Sequence, residues 1–127
     1  MHNSTACYRV HVMASEVVEE GSCYEWSSYI RGYHDYQAVW TPYIGEMLLL
    51  KVEPTNPYDD FAVSAVQDGT VVGHVPKYVS RVVCFFLKKV GSVGFCEVTG
   101  SRVNRGVGLG LEIPCTYKFY GRQAYLD

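Results

Sequence analysis

With 127 residues, 48% of them hydrophobic and 19% charged, the chain is too apolar for a disordered tail and too short for two independent cores, so one domain is expected. No apolar run approaches the roughly 20 residues that a membrane-spanning helix needs, and a soluble chain with no membrane partner is expected. The net charge of −2 hides an asymmetry, because residues 1–70 carry three Lys/Arg against ten Asp/Glu while residues 71–127 carry eight against three, so a local basic face can attract an anion within a screening length of about 8 Å.

Residues 1–22 read as an N-terminal extension or additional strand, residues 23–122 as the domain, and residues 123–127 as a tail. The opening MHNSTACYRVHVMASEVVEEG has no basic segment followed by an apolar core and carries Glu16, Glu19 and Glu20, so no secretory signal and an intracellular home are expected. Tyr8–Met13 alternates weakly, Glu16–Ser22 reads as a linker or turn, and Tyr24–Ile30 is the first strand of the domain proper. Tyr33, Tyr36, Trp40 and Tyr43 then crowd between Gly32 and Gly45. Eleven tyrosines and two tryptophans are a high density for this length. Trp26 and Trp40 are assigned to the core, whereas tyrosines beside loops suit a stacking platform for unpaired bases, each worth about 1–3 kcal/mol. Arg31, His34 and Lys77 are cations interleaved with these rings.

Met47–Val52, Phe61–Val66 and Thr70–Val75 are short β-branched or aliphatic runs, and Asp68-Gly69 between the last two is a hairpin signal. The spacing then changes from two to 3.6: Val79, Val82, Val83, Phe86, Leu87 and Val90 line one helical face. Pro76 marks the helix start, Lys88 and Lys89 its last turn, and Gly91 a left-handed cap. Val93–Thr99 is a further strand. Gly100–Gly110 is too glycine-rich and polar to be regular, and a final strand follows in which Leu111, Ile113, Cys115, Tyr117 and Phe119 face the core while Glu112, Pro114, Thr116 and Lys118 face solvent. The fold class is therefore mainly β, of α+β type.

Several chemistries lack support. Cys7, Cys23, Cys84, Cys96 and Cys115 are odd in number, with no CxxC and no zinc-ligand spacing, so they read as reduced, buried small hydrophobes. Gly106-Val-Gly108-Leu-Gly110 has neither GxGxxG spacing nor a following lysine, and without a Walker A motif no ATPase or nucleotide cofactor is expected. Asp59-Asp60 with His74 and Lys77 can be drawn as a metal-dependent nuclease site. Against that, Asn56-Pro57-Tyr58 ahead of Asp59 is a turn signature in which a short acid holds backbone amides.

The pattern E-P-x-N-P-Y-D-x-x-A-V over Glu53–Val63, followed by D-G-x-x-V-G-H-V-P-K over Asp68–Lys77, resembles the HIRAN domains. A helix straight after the second motif and Ile113-Pro114 opening a strand that ends in Phe119-Tyr120-Gly121 extend the resemblance to about residues 25–122. It implies a small OB-like or SH3-like barrel of about six strands with one or two helices, without catalysis, cofactor or metal of its own. It further implies binding of single-stranded DNA at its 3′-hydroxyl end, a nuclear location in DNA repair, and a larger helicase-like or nuclease partner. Carried over by position, Asn56, Tyr58, Asp59, His74 and Lys77 fall on contact positions: Tyr58 stacks, Asn56 and Asp59 read the terminus, and His74 and Lys77 hold phosphate. Where the DNA-binding member has an arginine and two tyrosines, this chain reads Tyr33-His34-Asp35-Tyr36, so His34 and Tyr36 stand in. Leu111 occupies an expected aromatic position, and Arg102 and Arg105 are taken to compensate by meeting phosphates. The alternative reading is a protein-interaction module on the same barrel that has lost the DNA-end pocket.

Overall fold

The computed structural model describes residues 4–14, 17–106 and 110–122, with side chains from residue 22 onward. In chain order the elements are β1 (Ser4–Ala14), β2 (Val17–Ile30), α1 (Tyr33–Tyr36), β3 (Met47–Val52), β4 (Val63–Gln67), β5 (Thr70–His74), α2 (Lys77–Leu87), β6 (Val93–Val98), β7 (Val103–Asn104) and β8 (Leu111–Gly121). Seven strands form one antiparallel sheet in the order β1-β2-β8-β6-β3-β4-β5, and β7 pairs only with β8. The mainly β class expected from the sequence is what the chain adopts.

The barrel is not closed. Instead of a full ladder joining β5 to β2, the curled sheet meets itself at one residue pair, where the Arg31 N–H donates to the His74 carbonyl at 2.8 Å and the His74 N–H to the Arg31 carbonyl at 3.0 Å. Gly73 makes this approach feasible. A Cβ there would lie 2.4 Å from Ile30 Cγ2, so the glycine of the V-G-H-V-P motif serves backbone packing.

Asp68-Gly69 forms the expected turn, both residues having positive φ (49° and 84°), the geometry whose twist matches the flanking strands. Four elements differ from expectation. Val17–Ser22 is not a linker but the first part of β2, paired with β1 from Ala14↔Val17 to Arg9↔Ser22; Glu16 lies outside the described residues. A ladder satisfies backbone amides whatever the polarity of Glu19 and Glu20, which is why their composition misled. Phe61 and Ala62 belong to the turn before β4, not to the strand. Within the Gly100–Gly110 loop, Val103–Asn104 pairs with Leu111 and Glu112. Glu112 itself is fully buried, not facing solvent.

Helix α2 also sits differently from its apolar stripe. It ends at Leu87, so Lys88 and Lys89 lie past its last turn, and Gly91 takes its positive φ of 79° in a following turn closed by the Ser92 N–H to the Lys89 carbonyl at 3.1 Å. Its buried face is Ser80, Val83, Cys84 and Phe86, whereas Val82 and Val90 are 73% and 80% exposed. The rotation follows from Ser80, whose hydroxyl donates to Asp59 Oδ2 at 2.7 Å and draws the helix onto the preceding turn. Trp26 and Trp40 are in the core, joined by Ile30, Leu48, Ile113 and Tyr117. Cys23, Cys84, Cys96 and Cys115 are buried thiols outside any disulfide, and the side chain of Cys7 lies outside the described residues.

Candidate nucleic-acid interface

The motif Glu53–Phe61 is a self-bonded turn. Asn56 Oδ1 accepts from the backbone N–H of Tyr58 at 2.8 Å and of Asp59 at 3.1 Å, while Asn56 Nδ2 donates to Glu53 Oε1 at 2.6 Å. Asp59 Oδ1 accepts from the Phe61 N–H at 2.9 Å, so this acid holds a backbone amide as its turn signature indicates. The Glu53 N–H donates to the Ala62 carbonyl at 2.8 Å and ties the two ends together. One ring is left outside this network: Tyr58 is 85% exposed.

Beside the turn runs an open groove of about 360 Å³, near the low end for small-ligand sites. Tyr36, Asn56, Tyr58, Asp59, His74 and Lys77 all line it. Four elements supply them: α1 gives Tyr36, the turn gives the next three, β5 ends in His74, and α2 begins with Lys77. His74 Nε2 lies 3.2 Å from both Glu53 oxygens, its ring 6.0 Å from that of Tyr36. Lys77 Nζ donates to the Tyr58 carbonyl at 3.1 Å and stays exposed. Burial, then the nearby charges of Glu53 and Asp35, raise the Tyr36 hydroxyl above the ordinary tyrosine range. Tyr36 therefore remains a neutral hydrogen-bond donor at neutral pH.

The remaining predicted contacts are elsewhere. His34, on the same short helix as Tyr36, is outside the groove lining; its Nε2 lies 3.5 Å from Asp35 Oδ1, and it packs by Gly110. Arg102 is exposed on the far loop. Arg105 is spent on the buried Glu112, donating from Nε at 2.7 Å and from Nη2 at 3.2 Å, with its guanidinium 4.1 Å from the Tyr29 ring centre. Hydrogen bonding to Glu112 raises its pKa further.

Glu53 and Arg31 also line the groove, although the resemblance assigns neither a contact position and the sequence reading has Arg31 only as a cation among the rings. Glu53 is the acceptor that joins Asn56 to His74, and its place at the head of the motif is the signal that could have found it. Arg31 lines the groove from the end of β2, with Nε 3.1 Å from Glu112 Oε2 though out of line for a hydrogen bond. Arg31, two residues before Tyr33, thus brings a guanidinium to the groove. Only the backbone bridge to His74 brings it there.

A family model described as HIRAN domain matches residues 26–118. The chain belongs to the HIRAN family. The crystal structure of the HIRAN domain of human HLTF has the same fold, with a TM-score of 0.64 at 20% identity over 80% of this chain and 78% of that one. No curated protein matches the sequence. HIRAN domains are known generally as DNA-binding modules and are not catalytic by themselves. Among the described residues no three His, Cys, Asp or Glu side chains gather as metal ligands, and in the arrangement drawn for a nuclease Asp59 faces Ser80 while His74 faces Glu53.

Proposed function

We propose that the groove of this HIRAN domain receives the free 3′-hydroxyl end of a single DNA strand. The observation that carries this reading is the convergence, in one concavity, of an exposed ring (Tyr58), three basic side chains (Arg31, His74, Lys77) and a carboxylate (Asp59). An unpaired base stacks on Tyr58, which the Asn56 turn holds out at no cost in backbone freedom at binding. Arg31 and Lys77 meet phosphate oxygens, Arg31 as a planar fork and Lys77 as a point charge. Asn56 has one amide hydrogen left for the terminal nucleotide, and each Asp59 oxygen keeps a free lone pair for a hydroxyl donor.

Asp59 also supplies end selectivity. A 3′-phosphate would bring negative charge within several ångströms of the carboxylate, at a cost of about 1 kcal/mol or more near a protein surface. Fluorescence anisotropy should therefore find a 3′-hydroxyl strand bound at least about fivefold tighter than the same strand with a 3′-phosphate. Equal affinities would sink end capture.

A second reading has its own observation. Val39, Tyr43, Ile44 and Met47 are 61%, 63%, 67% and 48% exposed, an apolar surface suited to a protein partner such as a larger helicase-like or nuclease chain. It makes no demand on the groove, so Tyr58→Ala separates the two readings: a folded variant with unchanged DNA affinity favours the protein-interaction role.

A further inference from the structure

We propose that the strand held in the groove continues along α2, on a stripe made by Lys77, Arg81 and Lys88 with Phe61 and Phe85 beside it. The inference rests on the groove reading and extends it to the nucleotides on the 5′ side of the captured end. Lys77, Arg81 and Lys88 stand at i, i+4 and i+11, which places them within about 40° of one another around the helix axis, and Lys88 keeps helical dihedrals just past the end. They are exposed and border the buried face at Cys84, with Ser80 and Val83 further round the helix. The stripe begins at a groove residue and runs about 16 Å, the length of about five stacked nucleotides or fewer extended ones.

Charge selects a polyanion as occupant. Lys77–Ser92 contains no acid, and Asp59, the carboxylate packed on the helix, is bonded to Ser80 on its inner side. Elsewhere in the basic half two cations are already paired, Arg105 with Glu112 and Lys118 with Glu97 at 2.8 Å. Arg81 has no carboxylate partner among the described residues. Its guanidinium instead lies 5.2 Å from the Phe61 ring centre and 5.6 Å from that of Phe85. Those rings, 5.4 Å apart, hold the fork in place without neutralising it. A fixed, charged plane beside exposed Phe85 offers both a phosphate contact and a surface for a base. Phe61 belongs to the turn that presents Tyr58, so groove and stripe share one scaffold.

The test compares a 3′-hydroxyl trimer with a 3′-hydroxyl ten-mer on the wild-type chain and on the double variant Arg81→Gln/Lys88→Gln, whose exposed positions leave the core untouched. Wild type should bind the ten-mer about tenfold or more tighter than the trimer. The variant should lose that gain, bind the trimer as wild type does, and show a salt slope for the ten-mer shallower by about 1.4, two phosphates at about 0.7 each. Equal affinity of wild type for both lengths overturns the stripe and leaves the groove reading standing, as does a length gain that survives the double substitution. If wild type binds neither oligonucleotide, both readings fall together.

Discussion

Two clusters of charge on this small sheet use arginine in opposite ways. Around Glu112, a fully buried carboxylate draws in Arg105 through two hydrogen bonds and approaches Arg31, so cationic character is spent on keeping one acid inside the fold. In the groove, Glu53 is bonded to Asn56 and His74, while Lys77 is held by the Tyr58 carbonyl and the Tyr58 ring stands exposed. Arg31 belongs to both clusters, because Glu112 approaches only its Nε and the residue still lines the groove, whereas Arg105 is committed to the acid through two hydrogen bonds. Counting basic residues along the sequence therefore overstates what the far loop can offer and understates the side that carries Lys77 and Arg31.

The contrast can be broken most directly at Glu112. Glu112→Ala should destabilise the chain by about 3 kcal/mol, the low end for breaking a buried pair because both guanidinium groups reach solvent, and thermal unfolding should fall by about 10 °C. A change of less than about 3 °C would mean that the arginines do not depend on this acid. On the groove side, Tyr58→Ala should leave unfolding unchanged within about 0.5 kcal/mol yet weaken binding of a 3′-hydroxyl strand by about 2 kcal/mol, near thirtyfold, in anisotropy titrations. The smallest effect is the sharpest discriminator. Arg105→Gln should cost about 1 kcal/mol of stability and leave DNA affinity within twofold. A drop in affinity matching that of Lys77→Gln would show that both clusters face the ligand.

Local chemistry explains which of these features were legible in advance. The Asp68-Gly69 hairpin, the Asn56–Asp59 turn and strand β8 each depend on neighbours in sequence, and each formed where expected. The five groove positions Asn56, Tyr58, Asp59, His74 and Lys77 came from the family motif and converge because the turn and the end of β5 flank the start of α2. Arg31, read from the sequence only as a cation among the rings, owes its place in the groove to His74, its neighbour across the seam, which lies far along the chain. His34 was selected for its charge, but a single short helix sends it and Tyr36 to different surroundings. The placement of Glu112 outside followed strict alternation, a rule that holds only where no distant cations compensate an inward acid.

By itself the sequence determined the β-rich class, the position of α2 and membership of the HIRAN family, because period, turn residues and the double motif are properties of short stretches. Only the tertiary structure decided that the sheet stops short of a closed barrel, that Gly73 admits the Arg31–His74 seam, and that Arg31 rather than Arg105 reaches the groove. The reason is physical: burial, ion pairing and the close approach of two backbones are settled between residues that the chain keeps far apart, and a residue's charge tells nothing of which partner has already claimed it.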